Sequence, residues 1–291
     1  QAYPRPMALP LPVSLSPSKV SSFTECALAF RFSAIDRLPE PPSLPAVRGT
    51  LVHAALERLM CLDAAARTPE AAQGCLTEAL GDLGEDPELA GLGLDEAGLA
   101  ELERDARDLV ERYFRLEDPA AITPIGLELK LEIELDGVRL RGIIDRLELD
   151  ADGELVVTDY KTGRAPGEHH EQQRLAGVAF YSLLCERLFG RRPARVQLLY
   201  LADPVAIIST LSDRSTRGVE RRLAAIWAAV ERACEREDFR PNPSRLCDWC
   251  GFKAYCPAFG GDVALADAHR RQVEAEAAAA AEAGSRALQP A

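Results

Sequence analysis

Two aspartates and a lysine lie on either side of a turn signal midway along the chain. Asp145 ends Gly142-Ile-Ile-Asp145, and Asp159 and Lys161 stand in Val156-Val-Thr-Asp159-Tyr-Lys161. Between them Asp150-Ala-Asp-Gly153 has the composition of a tight turn. Folding the chain back about that turn sets Asp145 opposite Asp159. Side chains alternate along a strand, so Leu155, Val157, Asp159 and Lys161 share one face, as do Ile143, Asp145 and Leu147. Two carboxylates and an ammonium thus converge among apolar neighbours. Two like charges at close range repel, and partial burial raises the cost. A divalent cation between them relieves it, and an oxygen-rich donor set suits Mg²⁺ or Mn²⁺. Such an ion activates a bound water and neutralises charge on a phosphodiester, with Lys161 placed to position or deprotonate the water or to stabilise developing charge. The same spacing also allows a plain surface ion pair at a strand end, with Asp145 turned toward Arg141 or Arg146.

The eight cysteines divide into two kinds. Cys61, Cys75, Cys185 and Cys234 stand singly among apolar helical neighbours and read as small buried hydrophobes. Cys247, Cys250 and Cys256 form a C-x2-C-x5-C cluster, for which Cys26 is the best remote fourth partner. The sequence shows no export signal, so the expected setting is cytoplasmic, and disulfides are disfavoured against a metal or cluster site. Four thiolates bind Zn²⁺ tetrahedrally or hold an iron–sulfur cluster.

The elements that carry these residues follow from periodicity. A helix starts near Ser18 and carries Cys26; a proline-rich link covers Leu38 to Pro45; Gly49 opens a helix through Leu62, with Val52, Leu56 and Leu59 on one stripe. Residues 69–117 read as helical with a break between Gly81 and Gly98. The period then becomes two: Ile125, Leu127, Leu129, Leu131, Ile133 and Leu135 alternate with Glu128, Lys130, Glu132 and Glu134. Asp136-Gly137 is a hairpin turn, and strands follow over 138–149 and 154–161. A helix over 171–189, strands at 195–201 and 205–211 and a helix over 215–237 lead to the cysteine cluster. The order gives a mixed α/β fold with its sheet in the middle. The expected organisation is an extended or disordered lead (1–13), one domain over 14–262, and an Ala/Glu-rich tail (263–291). Within that domain, 14–120 is mostly helical, 121–212 forms the sheet core, and 213–262 forms a helix and the cysteine staple.

Net charge is −12, which weighs against a nucleic-acid partner only weakly, because a local basic groove is what meets phosphate. Arginines cluster at 187, 191, 192 and 195, and again at 214, 217, 221 and 222; each group reads equally as a solvated surface. No apolar run reaches the roughly 18 residues of a membrane span, and no Walker A motif is present, so no ATP-driven motor is expected in this chain.

Gly142-Ile-Ile-Asp145 followed by Val156-Val-Thr-Asp159-Tyr-Lys161-Thr-Gly resembles two motifs of RecB-family PD-(D/E)xK nucleases, and Gly49-Thr-Leu-Val-His53-Ala-Ala-Leu-Glu57 resembles their histidine helix. The resemblance spans roughly residues 14–260. It implies a restriction-endonuclease-like core with a central mixed sheet flanked by helices, a helical N-terminal part and a C-terminal cysteine cluster. It implies His53, Asp145 and Asp159 as metal ligands, Lys161 as the catalytic lysine, and Glu128 as a further acidic candidate. By residue type alone, His53 reads equally as a helix-face histidine bonded to Glu57 one turn on. Tyr160, Gln173 and Tyr181 are secondary candidates: Tyr181 matches the tyrosine of the family's Gln-x-x-x-Tyr helix, but Gly177 stands where the glutamine belongs, with Gln172 and Gln173 one turn earlier. One remote cysteine plus a C-terminal triplet resembles the iron–sulfur members, of the AddB type and the CRISPR-associated RecB-like type, in which a [4Fe–4S] cluster ties the domain ends together. The implied activity is metal-dependent hydrolysis of DNA, on single strands or ends, in repair or recombination, alone or beside a separate helicase. The rivals are a CRISPR spacer-processing nuclease working with an integrase, and a non-catalytic DNA-binding protein on a degenerate nuclease fold.

Overall fold

The computed structural model describes residues 9–84, 86–165, 167–210 and 213–287; the side chains of 168–176, 213–215, 278 and 280–287 lie outside the described residues. The helices, in chain order, are α1 (Pro17–Glu25), α2 (Ala27–Phe30, running into a π-helical turn Arg31–Ile35), α3 (Leu44–Cys61), α4 (Pro69–Leu83), α5 (Pro87–Gly91) and α6 (Glu96–Tyr113). The sheet region follows as β1 (Thr123–Leu135), β2 (Val138–Leu149), β3 (Leu155–Lys161), α7 (Glu168–Phe189), β4 (Arg195–Tyr200) and β5 (Val205–Ser209), and then α8 (Asp213–Arg236) and α9 (Val263–Ala287). Contacts group these into two compact units, one over Pro42–Arg222 and one made of the chain up to Pro41 together with the chain from Leu223 onward. No helix among the described residues is long and apolar enough to cross a membrane.

The Pro42–Arg222 unit is built on a five-stranded mixed sheet in the order β1-β2-β3-β4-β5, flanked by helices. β1, β2 and β3 form an antiparallel meander, β3 and β4 pair in parallel across α7, and β4 and β5 form a second hairpin. Asp136 and Gly137 both take positive φ (50° and 80°), as a two-residue primed turn between twisted strands demands. Asp150 holds the next turn by accepting the amides of Asp152 (3.1 Å) and Glu154 (2.9 Å). One core joins α3, α4 and α6 to the sheet: Val52, Leu56 and Leu59 meet Leu76, Val110, Tyr113 and Tyr160. β2 alternates buried and exposed over 138–143 and is then buried continuously from Ile144 to Glu148. Its second half therefore has both faces covered.

α3 begins at Leu44 rather than Gly49. Ser43 caps it by accepting the Ala46 amide (3.4 Å), and Pro45 occupies the first turn, where a missing N–H costs nothing. Cys26 is not helical but stands extended (φ −156°, ψ 106°) between α1 and α2.

In the unit made of the chain ends, Leu28, Phe30 and Phe32 pack with Ile226, Val230, Phe239, Phe252 and Ala266. Arg31, almost fully buried, is paired with Asp36 (3.0 Å) and with Asp267 on α9; Arg270 also reaches Asp36 (3.1 Å). α9 is thereby bound through its first two turns by apolar and ionic contacts. Leu9 is buried, and its amide bonds to the carbonyl of Cys234 (3.2 Å).

Candidate metal centre

Register along the β2–β3 hairpin matches the expectation: Arg146 pairs with Thr158 and Leu147 with Val157. Asp145 and Asp159 are the next positions outward, and there the ladder stops. β3 remains paired to β4 through Lys161 and Tyr200, so its end is held on one side and open on the other. On the open side the Asp145 carboxylate replaces the missing strand partner: Oδ2 accepts the backbone N–H of Tyr160 at 2.6 Å.

Three side chains from separate elements meet at this opening. α3 supplies His53, β1 supplies Glu128 and β2 supplies Asp145, with one ligand-capable atom of each within 4.8 Å of the others. His53 Nε2 lies 3.1 Å from the carbonyl oxygen of Tyr160. A carbonyl only accepts, so Nε2 carries the hydrogen. The lone pair of Nδ1 then faces Asp145 Oδ2 (3.5 Å) and Glu128 Oε1 (3.9 Å), the orientation a metal-binding imidazole takes. His53 is not bonded to Glu57.

Glu128 joins the group through an unusual backbone. Its φ is +42° inside a strand, in the left-handed region that disfavours residues with a Cβ. Asp159 and Lys161 share a face of β3, as the alternation requires, and form an ion pair. Asp159 Oδ2, the oxygen paired with Lys161, is buried. Tyr181 on α7 packs over Gly142, where a Cβ would come within 3.0 Å of its ring. The Gln173 side chain lies outside the described residues.

The electrostatics record the crowding. Burial above all, and then the negative charges of Asp159 and Glu128, push Asp145 up to about 7, against the opposing pull of His53 and the Tyr160 amide. Burial disfavours the His53 cation, but the carboxylates of Glu128, Asp145 and Asp159 outweigh it and raise the pKa. Burial and the same three carboxylates also raise Tyr181, keeping its phenol neutral. An imidazole facing clustered carboxylates that burial and mutual repulsion crowd together is a donor set that fits a hard divalent cation.

The surface ion-pair reading of Asp145 does not survive. Asp145 is only 8% exposed, Arg141 pairs with Glu132, and Arg146 points to the opposite face of β2. Arg146 is fully buried. It donates to both Glu117 oxygens, to Glu148, to Thr158 (3.1 Å), to the Tyr160 hydroxyl (2.7 Å) and more weakly to Tyr113. Sequence reading missed this hub. Its one available signal was an arginine inside a strand that the turn spacing places next to the site.

Cys26, Cys247, Cys250 and Cys256 line one small cavity of about 30 Å³ in the unit made of the chain ends. Backbone amides point at three of the four sulfurs: Asn242 N–H at Cys26 (3.5 Å), Ser244 N–H at Cys247 (3.4 Å) and Phe252 N–H at Cys250. Burial raises Cys250 most, and its three neighbouring thiolates raise it further. All eight cysteines are unpaired. Cys75, Cys185 and Cys234 are buried as expected. Cys61, the last residue of α3, is exposed, contrary to expectation.

Comparison with known proteins agrees with this geometry. The family profile described as the PD-(D/E)XK nuclease superfamily matches residues 14–257. This chain belongs to the PD-(D/E)XK nuclease superfamily. The Gene 69 protein of Mycobacterium phage D29 is 26% identical over 266 residues, covering 84% of this chain and 96% of the relative. The Gene 69 protein of Mycobacterium phage L5 is 30% identical over 137 residues, covering 46% of this chain and 45% of the relative. The crystal structure of a presumptive exonuclease from Eubacterium rectale superposes with a TM-score of 0.50 at 13% identity, covering 82% of this chain and 87% of the other. At that identity the likeness speaks for the fold alone.

Proposed function

We propose that this PD-(D/E)XK nuclease is a metal-dependent DNA exonuclease that hydrolyses phosphodiester bonds on single strands or DNA ends, in repair or recombination. The observation that carries the reading is the meeting of His53, Glu128 and Asp145 beside the Asp159–Lys161 pair. A non-catalytic protein on the same fold has no need to bury these carboxylates together. In this reading His53, Asp145 and Asp159 hold Mg²⁺ or Mn²⁺, with Glu128 as a further oxygen donor. When bound, such an ion supplies water activation and charge neutralisation at the phosphodiester. The chain's own part is to present the donors. The Tyr160 carbonyl fixes the His53 tautomer, the Tyr160 amide fixes Asp145, and Asp159 holds the Lys161 ammonium at the mouth of the site. Lys161, partly exposed and held there by Asp159, is placed to orient the attacking water and to meet developing charge.

We further propose that Cys26, Cys247, Cys250 and Cys256 hold a [4Fe–4S] cluster. Amide donors directed at sulfur stabilise thiolates and tune such clusters. The shared cavity supports Cys26 as fourth ligand. A tetrahedral Zn²⁺ uses the same thiolates; iron analysis and the visible spectrum distinguish the two. The cluster's part is structural, joining the first and last segments of the chain. The working partner is DNA, in concert with a separate helicase or integrase.

The test is incubation of anaerobically purified protein with 5′- and 3′-labelled linear DNA, single- and double-stranded, and with circular single-stranded DNA, in Mn²⁺, Mg²⁺ or EDTA. Cation-dependent release of short products from linear DNA, with circles spared, is expected. Cleavage of circles as fast as linear strands would replace the exonuclease with an endonuclease. Absence of any cleavage would leave the DNA-binding rival.

A further inference from the structure

Tyr160 stands between Asp159 and Lys161, yet its side chain turns away from them. It is buried against α6, edge-on to Tyr113 with ring centroids 5.9 Å apart. Its main chain does the opposite. The Tyr160 N–H is given to Asp145 and its C=O to His53. In a complete sheet both groups belong to the β2 ladder, but that ladder ends at Arg146 and Thr158. One peptide segment therefore positions two of the proposed ligands, and any shift of it moves both.

What fixes that segment lies on the far face of the sheet. The Tyr160 hydroxyl accepts from Arg146 Nη1 at 2.7 Å, and the Arg146 guanidinium lies 5.6 Å from the Tyr160 ring centroid. Arg146 is in turn pinned by Glu117 in the loop after α6, by Glu148 on its own strand and by Thr158 on β3. Thr158 is tied to β4 through Gln197 (2.8 Å). Because residues alternate, Asp145 and Arg146 look to opposite faces. The first grips the backbone of Tyr160 and the second its side chain. Where ladder bonds are missing, these two contacts hold β2 and β3 at a set separation.

Resting on the metal-site reading above, we propose that Tyr160, clamped through its hydroxyl by Arg146, is the positioning residue of the metal centre. It sets the spacing of His53 and Asp145 without touching the ion. The informative variant is Tyr160→Phe, which keeps the ring and its packing and removes only the clamp. Arg146 itself is unsuitable, since its removal leaves buried carboxylates unpaired. Tyr113→Phe is the control: it removes a hydroxyl from the same arginine but touches neither Asp145 nor His53.

The readout is Mn²⁺ affinity of the full-length protein, by titration calorimetry and by loss of the free-ion EPR signal, with thermal melting alongside. Partners that orient metal ligands contribute about 10- to 100-fold to affinity, so Tyr160→Phe is expected to weaken Mn²⁺ binding at least about tenfold while Tyr113→Phe binds as wild type. Wild-type Mn²⁺ affinity in Tyr160→Phe, or equal weakening in both variants, overturns the positioning role. Asp145→Asn separates the two levels. If it abolishes binding while Tyr160→Phe does not alter it, only this inference fails. If neither it nor His53→Ala changes binding, the metal-site reading fails and this inference with it.

Discussion

His53 Nε2 lies 3.1 Å from the carbonyl oxygen of Tyr160, while its other ring nitrogen faces Asp145 at 3.5 Å. A helix residue is thus held by the strand it serves, in the one tautomer that leaves a lone pair toward the carboxylates. His53→Ala should weaken Mn²⁺ binding at least about tenfold and leave the α3 packing intact, since His53 itself is outside the buried core of that helix. Titration calorimetry on the two proteins decides it: equal affinity removes His53 from the ligand set.

The raised pKa values of Asp145 and His53 make a signed prediction. The Asp145 carboxyl titrates near 7 in the fold against about 4 in an unfolded chain. Between those values the native state binds more protons than the unfolded one, so stability falls as pH rises. His53, also raised, gives stability that is complete below its unfolded pKa and is lost as pH passes its folded pKa, which is the same direction. In EDTA the melting temperature of the wild type should therefore drop between about pH 4 and pH 8, more than that of Asp145→Asn. Mn²⁺, which needs the deprotonated groups, should restore most stability at the upper end. Parallel melting curves for the two proteins in EDTA would contradict the assignment.

Glu128 occupies left-handed backbone that costs roughly 1–3 kcal/mol for a residue with a side chain, beside carboxylates that repel it. Glu128→Gly should therefore stabilise the metal-free protein, by roughly 1 kcal/mol after the entropy of glycine is subtracted, while weakening Mn²⁺ binding and slowing cleavage. Denaturant titration in EDTA together with a Mn²⁺ titration tests both halves. A destabilised variant would show that the strain is absent in solution.

The legible part of the site was the part governed by alternation. A turn at 150–153 and a period of two were enough to set Asp145 against Asp159 and to put Lys161 on the same face. They could not show that the ladder ends one residue short of that pair. Nor could they show that Arg146, which resembles a solvent-facing partner, is buried by α6 and Tyr160; that depends on which helix covers the second face of β2. Ser43 was hidden as a cap because Leu44-Pro45 reads as a link, although proline is at home in a first helical turn. Cys26 lines the same cavity as the C-terminal cysteines but lies outside the helix expected to carry it, because local propensity does not register the extended residue between α1 and α2.

The arginine group at 187–195 is neutralised by its neighbours. Arg187 pairs with Glu220, Arg191 with Glu154 (3.0 Å), Arg192 with Glu186 (3.6 Å) and Arg195 with Asp150 (3.6 Å). Balanced charge gives little field at a distance and releases few counterions on binding DNA. Arg191→Glu should accordingly leave DNA affinity and its salt slope nearly unchanged. Glu154→Gln, which frees Arg191, should be neutral or strengthen binding slightly. Fluorescence anisotropy with a labelled single strand from low to moderate salt is the measurement. A slope reduced by about one in Arg191→Glu would put this arginine on the phosphate path.

The cysteines separate structure from chemistry. Held by one cluster as proposed, Cys26 and Cys247, Cys250 and Cys256 would close a loop of more than two hundred residues. By analogy with a cross-link, that closure restricts the unfolded chain by on the order of 4–5 kcal/mol, beyond the ligation energy itself and comparable to the stability of an ordinary domain. Alanine at Cys26, Cys247, Cys250 or Cys256 should give protease-sensitive protein low in iron, whose activity is lost together with its fold. Alanine at Cys75 or Cys185 should cost only a small cavity each, and Cys61→Ala, at an exposed helix end, should be neutral. Protein purified without oxygen should be brown, with a broad visible absorbance that bleaches on reduction. Iron content, colour and the protease half-life of the seven variants, read together, test the assignment. A colourless, well-folded wild type with one equivalent of zinc would keep the staple and replace the cluster. A Cys26→Ala protein that retains full iron would return the search for the fourth ligand to the rest of the chain.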